Sequence, residues 1–406
     1  MKDTHILLAN VFFAPFSYGG ATVVAEQVAQ QIVAQTGARV SVVSMMNEDS
    51  LTPYSMIKSE TNGIVNYLIN VPRRRSYAEI YDNPQVTELI ARLMDLIEPD
   101  LLHAHCVQDM GTGLFAAASA RDIPIILSVH DFWWICDRQF MIRPDQSYCG
   151  QNPVKLENCR GCADDFSAAR TRWDHLNRQA DLVDLVTYPS QFAKDLSERS
   201  GFAPGKGVVW ENGVRRPNPE FFEAQSSRRA RDGRLSFGFL GGPSQIKGWP
   251  LLRRAFSQIE REDFRLLLVD GSLDGSWWED VDREMLKGDH QIYPRFSQDD
   301  MDAFYAEIDV LLFLSQWKET FGLAIREALA RGIRVIQTDS GGTVEHGAVT
   351  PEALIPIGAD ANALLAQVNA VFAQEAGSFS PVPVASFEDQ ASQFVELAQG
   401  LFRQKW

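Results

Sequence analysis

Short apolar runs alternate with four-residue helical repeats along most of the chain. Residues 5–10 are apolar, a loop follows that ends at Tyr18-Gly19-Gly20, and Val24, Val28 and Ile32 then recur every four residues until Gly37. This is the pattern of a buried strand feeding a helix that glycine closes. Further strands are predicted at 39–44, 64–70, 101–104, 124–129 and 182–188, with helices at 85–97 and 191–199. Strands that alternate with helices imply a mostly parallel sheet covered on both faces.

The pattern breaks at 217–233, where Pro, Ser and Arg228, Arg229 and Arg231 replace the periodic apolar positions. It then restarts, with strands at 235–240, 264–269, 291–293, 310–314 and 334–338 and helices at 249–259 and 321–330. The last twenty residues carry Phe394, Leu397, Leu401 and Phe402 on one side of an amphipathic helix. The expected architecture is therefore α/β, with two Rossmann-like doubly wound domains. The first spans 1–210 and includes an insert at 132–165, the second spans 211–385, and helix 386–406 returns to the first. A chain of 406 residues suits two such domains. Open parallel sheets bind ligands at the carboxyl ends of their strands, which directs attention to the loops there.

Charge narrows the partners. The net charge is -15 and the acidic excess is shared by both halves, so no basic footprint for nucleic acid exists. Arg73, Arg74 and Arg75 form the one tight basic cluster. It suits an anionic lipid surface or a diphosphate, against the ordinary reading of a solvated loop beside Pro72. No apolar run is long enough to span a bilayer, and the start lacks the basic region and cleavage site of a signal peptide. The expectation is a cytoplasmic protein with peripheral contact at the inner face of a membrane.

Chemistry concentrates in Ser315-Gln316-Trp317-Lys318-Glu319-Thr320-Phe321-Gly322-Leu323, which leads into a helix carrying Glu327. Glu319 falls in the strand-to-helix loop and Glu327 on the helix, no more than roughly 12 Å further along by the helical rise. That spacing suits the two ends of one extended ligand. The amides of Phe321, Gly322 and Leu323 lie between, at a helix start that favours phosphate. The alternative is a dipole-favoured first-turn acid and a surface glutamate. A second feature, Gly111-Thr112-Gly113-Leu114-Phe115-Ala116, matches a dinucleotide fingerprint, but at least three strands precede it, whereas the fingerprint belongs on the first.

The two glutamates, with Phe-Gly-Leu between them and Ser315 before, resemble the Glu-x7-Glu signature of glycosyltransferase family 4, a family of retaining enzymes with the GT-B fold. The resemblance implies that Glu319 contacts the donor sugar, that Phe321, Gly322 and Leu323 contact sugar and phosphate, and that Glu327 binds the ribose hydroxyls. Other segments follow in the family's order. Tyr18-Gly19-Gly20 resembles its glycine loop, His130-Asp131 its active-site histidine, and Asn212-Gly213-Val214 the tripeptide before its second domain. Residues 239–248 resemble its Gly-Arg-x4-Lys-Gly donor loop: Gly241 and Lys247 are in place, but Gly242 stands where many members have arginine. Arg295 or backbone amides are left to supply that charge.

Cys136, Cys149, Cys159 and Cys162 form C-x12-C-x9-C-x2-C in the insert. Four thiolates suit a closed structural Zn²⁺ site; reduced thiols or an oxidised pair are the other readings. Some family members carry a similar cysteine-bearing insert after the histidine, which would put Arg138, Arg143 and Asp131 near the acceptor.

The resemblance implies a GT-B protein whose two domains face each other across a cleft. It would be a retaining glycosyltransferase of hexosyltransferase type with catalytic Glu319, His130 and Lys247, needing no catalytic metal. The donor would be a UDP-, GDP- or dTDP-sugar. The acceptor would be a glycan, a lipid-linked molecule or a small molecule, in polysaccharide or glycoconjugate biosynthesis. The rivals are an epimerase or phosphorylase on the same fold and a catalytically silent binding protein.

Overall fold

In a computed structural model, which describes residues 1–374 and 379–405, the chain forms two compact α/β units. The first comprises Met1–Phe140, Gly150–Gly213 and Ala385–Trp406, and the second Met141–Cys149 and Val214–Val384. The tip of the cysteine-bearing insert thus groups with the second unit, whereas the sequence assigned the whole insert to the first.

The sheet of the first unit contains β1 (His5–Ala9), β2 (Arg39–Met46), β3 (Met56–Thr61), β4 (Ile64–Asn70), β5 (Leu101–Ala104), β6 (Ile125–Ser128), β7 (Leu185–Tyr188) and β8 (Gly207–Val209), in the order β3-β4-β2-β1-β5-β6-β7-β8. Central β1, β5 and β6 are buried at every position, which is why they read as unbroken apolar runs. Edge strand β3 is the one antiparallel member, half exposed and polar, and its pattern escaped notice. Its signal is Asn62-Gly63, both at positive φ (53° and 75°), a two-residue hairpin turn that this dipeptide favours. Helices α1 (Gly20–Thr36), α2 (Pro84–Ile97), α3 (Gly113–Ser119), α4 (Phe166–Ala180) and α5 (Gln191–Arg199) connect the strands.

The second unit holds α6 (Phe221–Arg231), β9 (Leu235–Phe239), α7 (Trp249–Phe256), β10 (Phe264–Val269), β11 (Asp289–Tyr293), α8 (Met301–Ala306), β12 (Val310–Phe313), α9 (Leu323–Ala330), β13 (Arg334–Gln337) and α10 (Ala361–Phe372). Its sheet runs β11-β10-β9-β12-β13, parallel throughout. Alternate residues of β10 enter opposite cores: Leu266 and Leu268 join Phe237, Phe256 and Phe264, while Leu267 and Val269 join Phe304, Tyr305 and Ile333.

The break at 217–233 is not a linker. It forms α6, whose arginines serve packing: Arg228 is 2% exposed and grips both oxygens of Asp309 at 3.0 and 2.8 Å, and Arg229 adds a third bond at 2.8 Å. A buried charge paired in this way carries no apolar periodicity, so the helix was hidden.

The C-terminal α11 (Phe387–Lys405) packs on α1, with Phe394 stacked on His103 at 4.4 Å. Trp406, at the end of the expected helix, lies outside the described residues. The glycines of the 111–116 fingerprint have a packing cause. A Cβ on Gly113 would come within 2.2 Å of Thr87 Oγ1 on α2, and one on Gly111 within 2.7 Å of the Asn83 nitrogen. They allow the start of α3 to approach α2.

Candidate functional site

In the second unit, loop 241–248 folds back on the end of β12. The Gln316 amide donates to the Ile246 carbonyl at 2.7 Å, and Gly248, at φ 90°, sits so near Leu314 that a Cβ would lie 2.2 Å from its carbonyl oxygen. At Gly241 a Cβ would lie 2.5 Å from the Phe239 ring and 2.8 Å from Lys247 Cβ. The loop closes only with glycine at these places, and closing brings Lys247 Nζ to 2.8 Å from Glu319 Oε1. Ser315 Oγ also donates to that oxygen. Of the expected donor residues, Lys247, Ser315 and Glu319 are therefore directly joined.

The Glu319 backbone is fixed as well. Its amide donates to the Ser340 carbonyl and its carbonyl accepts from the Gly342 amide, both at 2.9 Å. Segment 340–343 is in turn tied to the start of α9 by Arg326, which the sequence reading missed. Arg326 is 3% exposed, lies 4.1 Å from the Phe321 ring centre, and donates to the carbonyls of Thr343 at 2.7 Å and Gly342 at 3.0 Å. Gly322 caps α9 at φ 83° with no side-chain cap; its carbonyl accepts from the Ile325 amide at 3.2 Å, and the first amides of a helix, here those of Leu323 and Ala324, have no acceptor one turn back.

Glu327 is not a surface residue of α9. It is 9% exposed, and its Oε2 accepts from the Tyr305 hydroxyl at 3.0 Å. Burial raises its pKa, opposed by Tyr305 and the nearby Arg331 guanidinium. Arg295 is exposed after β11.

In the first unit, Gly19 caps α1 at φ 82°, and a Cβ there would meet nothing within 4 Å, so only backbone geometry calls for glycine; Gly20 opens α1. Buried Asn10 ties this loop down, donating to the Phe12 carbonyl at 2.6 Å and accepting from the Cys106 amide at 3.0 Å.

His130, just after β6, ends a file of three histidines that was not read from the sequence, although His103-Ala104-His105 at the end of β5 marks it. His105 Nδ1 lies 2.8 Å from His130 Nε2, and His103 Nε2 lies 2.8 Å from Ser128 Oγ. His103 Nδ1 and His105 Nε2 are buried without a hydrogen-bond partner. An orphaned N–H is rarer than an orphaned acceptor, which assigns the protons to the partnered nitrogens. His105 then donates to His130 Nε2, so neutral His130 carries its proton on Nδ1.

Burial lowers all three pKa values: His130 to about 4, His103 to about 3, and His105 well below the ordinary 6.5. The unfolded chain takes up protons near pH 6.5 and the folded file does not, so stability is full above that pH and falls as pH drops toward 4. The urea midpoint is expected to fall between pH 7 and 4.5, and to fall less in His130→Asn. Equal falls in both proteins would contradict the neutral file.

The cysteine expectation for the insert needs correction. Among the described residues no group of three or more His, Cys, Asp or Glu side chains is arranged to hold a metal ion, so Cys136, Cys149, Cys159 and Cys162 do not assemble the four-thiolate site. Cys149 groups with the second unit and the other three with the first. Asp131 braces its own loop, accepting from the Trp133 amide at 2.8 Å and from Gln139 Nε2 at 2.6 Å. Arg138 is exposed in the first unit, while Arg143 groups with the second and donates to the Cys149 carbonyl at 3.0 Å. Arg172, missed in the sequence, supports the loop after His130: it is 3% exposed, lies 4.7 Å from the Trp133 ring centre and donates to the Trp133 carbonyl.

Two doubly wound units, one with a lysine loop folded on a helix-start glutamate, define a glycosyltransferase of the GT-B fold. Residues 18–216 match the model of Glycosyltransferase Family 4 and residues 221–376 that of Glycosyl transferases group 1, and the chain belongs to this GT-B glycosyltransferase family. Sulfoquinovosyl transferase SQD2 of Arabidopsis thaliana is 24% identical over 271 residues, 64% of this chain and 46% of that protein, so the match spans about half of the relative. Among solved structures, sucrose-phosphate synthase from Thermosynechococcus elongatus has a TM-score of 0.70 at 17% identity, covering 99% of this chain and 100% of that one. Anabaena HepE in complex with UDP and glucose has 0.69 at 17% identity, covering 98% and 100%. These likenesses establish the fold.

Proposed function

We propose that the protein is a retaining hexosyltransferase whose second unit binds a nucleotide sugar and whose first unit supplies Gly20, His130 and most of the acceptor contacts. The observation that carries this reading is the junction of Lys247, Ser315 and Glu319 at the start of α9, on the helix that holds buried Glu327. Lys247 and the amides of Phe321, Gly322 and Leu323 would hold the diphosphate, Glu319 the sugar, and Glu327 the ribose. Arg295 is the further cation available to the donor. The acceptor oxygen would bond to the anomeric carbon on the face that the diphosphate leaves. The diphosphate would take the bond's electron pair and the acceptor's proton, with Lys247 and the amides stabilising the growing charge. No metal enters this scheme.

HepE is described with UDP and with UDP-glucose, which favours a UDP-sugar over a GDP- or dTDP-sugar. A glycan, lipid-linked or small-molecule acceptor, and a role in polysaccharide or glycoconjugate synthesis at the cytoplasmic membrane face, complete the reading. No helix among the described residues is long and apolar enough to cross a membrane. Release of nucleoside diphosphate from a nucleotide sugar without acceptor tests the reading against a silent binding protein, which would release none.

Glu327 supplies a separate check. Glu327→Gln is expected to weaken nucleotide binding by about 1–3 kcal/mol, the range for hydrogen bonds to a charged group, as measured by calorimetry. Wild-type affinity in this variant would remove Glu327 from the site.

A further inference from the structure

We propose that Trp277 is a stacking platform for the nucleobase of the donor; this rests on the donor assignment above. Trp277 lies in the loop after β10, and its indole covers two glycines. A Cβ on Gly242 would lie 2.5 Å from its Cε3, and one on Gly271 would lie 2.7 Å from its Cη2. Gly242 stands at φ 61°, where a side chain is strained whatever the space. The departure from arginine at this position thus has a local cause: the indole fills the room a side chain would need.

The platform is held from below. Neighbouring Trp278 is 2% exposed, donates from Nε1 to the Val269 carbonyl at 3.0 Å, and meets Trp249 edge-on at 4.9 Å. Asp270, also 2% exposed, accepts the Trp277 amide at 3.1 Å on one oxygen, and the Ser272 amide at 2.9 Å on the other. Trp277 itself remains 41% exposed on this fixed pedestal.

A neutral indole cannot replace the charge of an arginine, so it does not serve the diphosphate. A flat π surface suits a flat heteroaromatic base, and the indole rests on the loop that carries Lys247, at the carboxyl ends of β9 and β10 where such sheets bind ligands.

Calorimetry with UDP, GDP, dTDP and inorganic diphosphate on wild type, Trp277→Ala and Trp277→Phe tests the proposal, with Glu327→Gln as the control for the site. Trp277→Ala is expected to weaken the best-bound nucleotide about 5- to 150-fold, the loss of one base–aromatic stack. Diphosphate binding should stay within about threefold, and Trp277→Phe should retain most nucleotide affinity. Two results would overturn the proposal and leave the donor site standing: unchanged nucleotide affinity in Trp277→Ala while Glu327→Gln loses it, or equal losses for nucleotide and diphosphate. If wild type binds none of the nucleotides, the donor assignment fails and the platform with it.

Discussion

Glu319→Ala is expected to lower kcat on the order of 100-fold, with the fold intact and a smaller change in KM. Lys247→Ala should fall at least about tenfold. The reason is geometric: Lys247 Nζ and Ser315 Oγ converge on one oxygen of Glu319, and the backbone of Glu319 is clamped at both its amide and its carbonyl. A preorganised charge aimed at developing charge contributes in the transition state rather than in ground-state binding, so its loss is read in kcat. Losing Lys247 also leaves a carboxylate that is only 14% exposed without its ion-pair partner. Steady-state kinetics on nucleoside diphosphate release decides the matter. Unchanged turnover in both variants would remove the pair from the chemistry.

The largest stability effect is expected at Arg228→Ala. Stranding a buried charge costs about 3–5 kcal/mol; Asp309 would keep Arg229 and the Ser236 amide, which makes that figure the upper bound. The exposed pair of Arg261 and Asp263, at 50% and 64% exposure, offers the contrast. Arg261→Ala should cost no more than about 1 kcal/mol. Urea unfolding of the two variants under one set of conditions measures the difference, and equal midpoints would show that Asp309 does not need its buried partner.

These two sites mark what the sequence could and could not convey. Central β1 and β10 are buried on both faces, so their runs are unambiguous, and the glycine of α9's cap sits where a helix start calls for it. Helix α6 reads as a break because Arg228 is buried by an ion pair instead of by apolar contact. Arg326 and the His105–His130 contact depend on residues 17 and 25 positions apart, which no local pattern brings together. The cysteines show the same limit: their spacing suits a metal as well as free thiols, and among the described residues they do not converge on a metal site. Gly242 departs from arginine because of Trp277, 35 residues later, which lies over it.

The central claim, a nucleotide-sugar donor site in the second unit, is tested most directly by thermal unfolding with UDP-, GDP- and dTDP-sugars, on wild type and Glu327→Gln. A ligand that binds only the folded state adds about 2.7 kcal/mol at a hundred times its Kd. The account predicts that at least one donor raises the wild-type Tm and that Glu327→Gln loses most of the rise at the same concentration. A wild-type Tm unmoved by every donor at millimolar concentration, or an equal rise in both proteins, would contradict it.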